Sequence, residues 1–81
     1  MNIKSNKKLL TTEDALKKLI NDYQDTYGHD RKVVVNNDDD IKEIIKLCKN
    51  LKEDDIISLA LKSLLLFNTY NVDFIKQEIS I

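Results

Sequence analysis

The stretch from Asp54 to Phe67, DDIISLALKSLLLF, limits the possible folds of this 81-residue chain more than any other segment. Nine of the twelve residues from Ile56 to Phe67 are apolar, and neither Gly nor Pro interrupts them. Because strands rarely run this long and Leu, Ala, Lys and Ser dominate, the pattern predicts an α-helix. Its polar residues leave only a narrow strip for water, so we predict a core helix that ends near Asn68.

Composition favours a mainly α, single small domain over residues 11–81, after a basic flexible arm at residues 1–10. The chain has no Pro and one Gly, which argues against an all-β fold with many tight turns. Thirteen basic and fourteen acidic side chains provide no bulk charge to attract nucleic acid or a membrane. A lone cysteine and the lack of a long apolar run predict a cytoplasmic protein without a membrane partner.

Three further helices are predicted from start and stop signals. Thr11 is a suitable N-cap and Gly28 a stop, which gives a first helix from about Thr12 to Tyr27. An acidic cluster after Asn37 starts a second helix, and Asn71 caps a short last one. A turn at residues 52–53 separates the second helix from the core helix, although one unbroken helix over residues 38–68 remains an alternative.

The segment Arg31–Asn36, RKVVVN, is the only strand candidate, because it holds three consecutive β-branched valines. A single strand cannot satisfy its own backbone groups. Three arrangements remain open: pairing with the same segment of a second chain, pairing with a strand at residues 78–81, or no strand at all but an extended linker.

Chemistry-bearing residues are sparse. His29 is the only histidine and Cys48 the only thiol, and no third group orients them as a nucleophilic pair. The three aspartates at residues 38–40 lack the alternate spacing and the Gly of a calcium loop, and helix capping accounts for them better. Lysines at residues 42, 46 and 49 are typical of a solvated helix face, with phosphate contact as the alternative. We therefore predict a protein that is not an enzyme, with no cofactor, metal or small-molecule substrate.

Residues 31–67 resemble the ribbon-helix-helix family of small repressors and antitoxins in the order and length of their elements: a short strand, a helix, a tight turn and a more apolar helix. The resemblance implies an intertwined homodimer with a strand-helix-helix core, whose paired strands enter the major groove of duplex DNA. Carried onto this chain, the DNA-binding residues are Arg31, Lys32, Val34, Asn36, Lys4, Lys7 and Lys8. The dimer core is Val33, Val35, Ile41, Ile45, Cys48, Ile56, Leu59, Ala60, Leu64 and Phe67.

A second hypothesis needs no DNA. The near-neutral charge, the acidic helix start and an apolar surface larger than one small chain can hide favour a helical protein-binding module. Such a module would be an inhibitor, an antitoxin or an adaptor of the kind that phages and plasmids encode. We rank the DNA-binding regulator first, because it accounts for the strand.

Overall fold

The computed structural model describes residues 11–80, which form four helices. They are α1 (Thr12–Tyr27), α2 (Asp38–Leu47), α3 (Glu53–Phe67) and α4 (Val72–Ile79). The prediction of a mainly α chain is confirmed, and the four helices lie where the start and stop signals placed them. The alternative of one unbroken helix over residues 38–68 is wrong, because the chain turns between α2 and α3.

Side-chain caps fix the starts of α1, α2 and α4. Thr11 Oγ1 accepts a hydrogen bond from the Asp14 backbone N–H at 3.0 Å, and the Asp14 carboxylate accepts one from the Thr11 N–H. Asn37 and Asn71 each accept a hydrogen bond from the backbone N–H three residues later, at 2.9 and 3.0 Å. Each cap satisfies an N–H group that a helix start leaves without an intrahelical partner.

The turn before α3 is made by the backbone alone. The Leu51 N–H donates to the Cys48 carbonyl at 2.9 Å, and Lys52 then adopts an extended conformation and provides no side-chain cap. Three carboxylates in the first turn of α3, from Glu53, Asp54 and Asp55, complement the positive end of the helix dipole instead. A break at this point therefore places these charges at a helix start, where they are stabilising.

The predicted strand at residues 31–36 is wrong. The segment is extended, but in the described part of the chain it meets the α3–α4 connection and not a second strand. The Val34 N–H donates to the Asn68 carbonyl at 3.0 Å, and Thr69 Oγ1 donates to the Val34 carbonyl at 2.8 Å. Pairing with residues 78–81 is also wrong, because residues 78 and 79 belong to α4. The extended linker, the third arrangement left open above, is correct.

The core lies inside a single chain. α1 packs against α2 and α3, and α4 packs against the same two helices. The strand-helix-helix core is therefore wrong: α1 and α4 cover the faces of α2 and α3 that a second chain was expected to cover, and no ribbon exists within residues 11–80. The homodimer itself stays a prediction. The buried hydrophobic residues are Leu16, Ile20, Tyr23, Ile41, Ile44, Cys48, Ile56, Ala60, Leu64, Tyr70 and Ile75.

Tyr70 makes the fold sensitive to alkaline pH. Its phenol is buried and donates to the Leu16 carbonyl at 2.6 Å, and burial raises its pKa above the usual value of 10.0. Above about pH 10 the unfolded chain loses this proton while the folded chain keeps it, so this group lowers the free energy of unfolding by about 1.4 kcal/mol per pH unit. Tyr70→Phe should remove that slope. Denaturant unfolding of both proteins from about pH 9 to 11 measures the difference, and equal slopes would contradict the assignment.

Candidate functional site

The predicted DNA-reading residue Arg31 is engaged inside the chain. Its Nη1 donates to the Tyr23 hydroxyl, its Nη2 donates to the Leu65 carbonyl at 2.9 Å, and its guanidinium lies 5.8 Å from the centre of the Tyr23 ring. The side chain therefore joins α1 to the last turn of α3. It would have to give up these partners to contact a base.

Asn36 is likewise a structural residue. Its Oδ1 accepts a hydrogen bond from the Tyr70 N–H at 3.0 Å and lies 3.0 Å from the Thr69 hydroxyl oxygen, whose single proton goes to the nearer Val34 carbonyl. Its Nδ2 donates to the Tyr70 carbonyl at 2.9 Å and to the Asp40 carboxylate at 3.1 Å. These three bonds use both N–H groups of the amide and one acceptor position of its oxygen. We refer to this set of bonds as the Asn36 clamp.

The other predicted DNA-binding residues are either exposed or outside the described part of the chain. Lys32 and Val34 are exposed on the extended segment. Lys4, Lys7 and Lys8 lie outside the described residues. The structure thus leaves Lys32 and Val34 accessible, while Arg31 and Asn36 hold the segment to the body of the molecule.

The predicted dimer-core residues fall into three groups. Ile41, Cys48, Ile56, Ala60 and Leu64 are buried in the core of one chain. Val33, Ile45 and Leu59 are half-buried and pack against that core. Val35 and Phe67 are exposed. The residues of the first group are already covered without a second chain.

The titratable side chains within residues 11–80 form no metal-binding cluster. No group of three His, Cys, Asp or Glu side chains there could hold a metal ion. The Cys48 thiol is buried, and desolvation raises its pKa, which disfavours the reactive thiolate. His29 is exposed in the turn after α1. These positions match the predicted surface histidine and core cysteine.

A cleft between α1 and the start of α2 has a volume of about 160 Å³. Lys17 lies along it and contacts Asp38 at 3.1 Å and Glu13 at the same distance, and hydrogen bonds to these two carboxylates raise the pKa of Lys17. The cleft is smaller than the roughly 300 to 1,000 Å³ typical of sites for drug-sized ligands. The ion pair between Lys17 and Asp38 joins α1 to the start of α2.

The most unusual surface feature of the described residues is a group of exposed apolar side chains on α3. Four of the eight large apolar side chains that are exposed in the described part belong to its last two turns. We call this set the leucine face: Leu61, Leu65, Leu66 and Phe67. Leu65 is 50% exposed and Leu66 is 59% exposed, although both belong to the helix predicted to be a core helix. Leu61 and Leu65 are one turn apart, so their side chains are adjacent.

Aromatic side chains lie beside the leucine face. Arg31, bound to the Leu65 carbonyl, links the face to Tyr23, whose ring lies 4.8 Å from that of exposed Tyr27. The Phe67 ring lies 5.2 Å from the Phe74 ring of α4. Exposed apolar side chains are therefore concentrated in the last two turns of α3, and a concentration of this kind marks interaction sites more often than scattered leucines do.

Sequence reasoning did not single out Leu61, Leu65 and Leu66. A signal was nevertheless present, because Ser58 and Lys62 mark the solvent side of α3 and these leucines flank them on a helical wheel. An apolar run on nearly all sides of a helix indicates either full burial or an apolar face left open. Only the packing of α1 and α4 decides between the two.

No helix within residues 11–80 has the length and apolar character needed to cross a membrane. Comparisons of the chain with protein-family models, curated proteins and solved structures gave no match, so the residues of the chain itself carry any functional proposal.

Proposed function

We propose that this protein is a non-enzymatic, helical protein-binding module that receives a helix of another protein on the leucine face. The observation that carries the proposal is the exposure of Leu61, Leu65 and Leu66 beside a core that is complete within one chain. An inhibitor, an antitoxin or an adaptor all fit this description.

Energetics support an interaction role for the leucine face. Each of these leucines leaves apolar surface in water, and burying a leucine side chain is worth about 1.5 to 3 kcal/mol. The last turns of a helix also form a firm platform, because Arg31 and Val34 satisfy carbonyl groups at its end. Helix-in-groove and helix-on-helix recognition use such rows of apolar residues at spacings of three and four.

The ribbon mode of DNA binding is not part of this proposal. It requires a strand whose side chains are free to enter the major groove, whereas the Asn36 amide uses both of its N–H groups and its oxygen in hydrogen bonds within the chain. The helical alternative requires only the surface described above.

Replacing Leu65 and Leu66 with glutamate tests the proposal. The double variant should fold with a free energy of unfolding within about 0.5 kcal/mol of the parent per site, because both side chains are exposed. We expect it to lose a protein partner that the parent chain captures by cross-linking in the cell from which the gene comes. Purified partner should then bind the parent directly, and bind the variant at least about 100-fold more weakly, which corresponds to about 2.7 kcal/mol.

The matched control carries Asn21→Glu and Asn50→Glu, which add the same two charges at exposed positions outside the leucine face. It should bind the partner as the parent does. If the Leu65→Glu/Leu66→Glu variant captures and binds the same partner equally well, or if the parent captures none, the proposed function is wrong.

A further inference from the structure

The outer side of α3 is divided into two halves of different chemistry. Asp54, Ser58, Leu61 and Leu65 follow one another at spacings of four, three and four, so they form one exposed stripe along the helix. At its start, where Glu53 and Asp55 flank Asp54, the stripe is acidic, and its second half is apolar. We call this start, Glu53, Asp54 and Asp55, the acidic half. From Asp54 to Leu65 the helix rises about 16 Å, which is the length of three turns.

The acidic half has no counter-charge in the described part of the chain. Glu53, Asp54 and Asp55 are exposed, and no ion pair joins any of them to a basic side chain within residues 11–80. By contrast, Lys62 beside the leucines contacts the Glu78 carboxylate at 3.0 Å, so its charge is already balanced. The stripe therefore presents negative charge at one end and nearly neutral apolar surface at the other.

From this pattern we propose that the occupant of the stripe is an amphipathic helix with apolar residues over Leu61 and Leu65 and with lysine or arginine side chains over Asp54 and Asp55. This rests on the proposed function and adds the chemistry of the partner. Lysine and arginine are favoured near the C-terminal end of a helix by its dipole, so such a partner lies antiparallel to α3. Complementary charge then fixes the direction and register of the contact.

A second copy of this chain fits the stripe poorly. A two-fold axis at the leucine face would place Lys62 beside its own image, and like charges at that distance repel. Moving the axis to Ser58 would place Lys62 near the acidic residues of the copy. Leu66 and Phe67 would then face residues that precede the copy's α3, and much of the leucine face would stay in water.

Two synthetic helices of about 18 residues test the inference. Both peptides carry the same stripe of leucines. At the C-terminal end, one peptide has lysines and the other has glutamates at the same positions. We expect the full protein to bind the lysine peptide about tenfold more tightly in low salt, with an advantage that shrinks as salt rises. Asp54→Asn/Asp55→Asn should remove the preference with little effect on folding, and Asp54→Lys/Asp55→Lys should reverse it. Leu65→Glu should abolish binding of both peptides.

The possible results test the charge of the partner helix separately from the proposed function of the leucine face. Equal binding of the two peptides, lost in Leu65→Glu, would overturn the basic partner while leaving the leucine face as a binding surface. No binding of the lysine peptide would also overturn it, and the cellular capture experiment above then decides the proposed function independently. Self-association in sedimentation equilibrium that Leu65→Glu abolishes would assign the stripe to a second copy and overturn the inference.

Discussion

Leu64→Ala is expected to destabilise this protein by about 2 to 5 kcal/mol, whereas Leu65→Ala should change the free energy of unfolding by no more than about 0.5 kcal/mol. Leu64 is 0% exposed and lies in the core between helices, while its neighbour Leu65 is 50% exposed. Truncating Leu64 loses buried apolar surface and leaves a cavity, and truncating Leu65 only shortens a side chain that is already in water. Denaturant unfolding monitored by circular dichroism measures both changes.

Leu64→Ala and Leu65→Ala serve as controls for each other, because the two substitutions are chemically identical and lie on the same turn of α3. Similar losses at both positions would mean that Leu65 is buried in solution, for instance by self-association. Measurement of Leu65→Ala across a range of protein concentrations separates that case, since only an associating protein shows a concentration-dependent stability.

Asn36→Ala should cost about 2 to 4 kcal/mol, compared with about 1 kcal/mol for Asn37→Ala. The first substitution breaks the three bonds of the Asn36 clamp and leaves the Tyr70 N–H and carbonyl without these partners. The second removes only the cap on α2 at 2.9 Å. Thermal or denaturant unfolding of both variants gives the comparison.

Asn36→Asp refines this result. It keeps the oxygen that accepts from the Tyr70 N–H but places a carboxylate against the Tyr70 carbonyl and the Asp40 carboxylate, so it should be at least as damaging as alanine near neutral pH. Equal effects of Asn36→Ala and Asn37→Ala would show that the clamp contributes no more than a cap.

The helices could be predicted from local sequence because their limits are set locally. Thr11, Asn37 and Asn71 each cap the helix that follows with their own side chains, and the acidic run at residues 53–55 marks the start of α3. Such signals act over three or four residues and do not depend on the rest of the fold. For this reason α1, α2, α3 and α4 all lie where they were expected.

The extended segment could not be predicted in the same way. Its three valines are typical of a strand, but the partners of Val34 and Asn36 include residues 68 to 70, more than thirty positions away. The amide of Asn36 replaces the second strand by bonding to both the N–H and the carbonyl of Tyr70. Nothing in the local pattern distinguishes an asparagine that does this from one that faces solvent.

The candidate site was predicted only in outline. An excess of apolar surface in the second half of the chain is visible in the sequence, and the exposed leucines of α3 are that excess. The sequence indicated that a second copy of the chain would cover this apolar surface, whereas α1 and α4 cover most of it. Which leucines remain exposed depends on the directions from which these two helices approach, and those directions are set by tertiary packing.

The Asn36 clamp also affects how the molecule unfolds. It joins the residue before α2 to the residues after α3, which are 34 positions away, so the two central helices lie within a closed segment of chain. While these bonds hold, the ends of the segment stay fixed, so either helix gains less chain entropy by unfolding alone. α2 and α3 should therefore be lost together in a single cooperative step, and the surface that α3 presents to a partner lasts as long as that closure does.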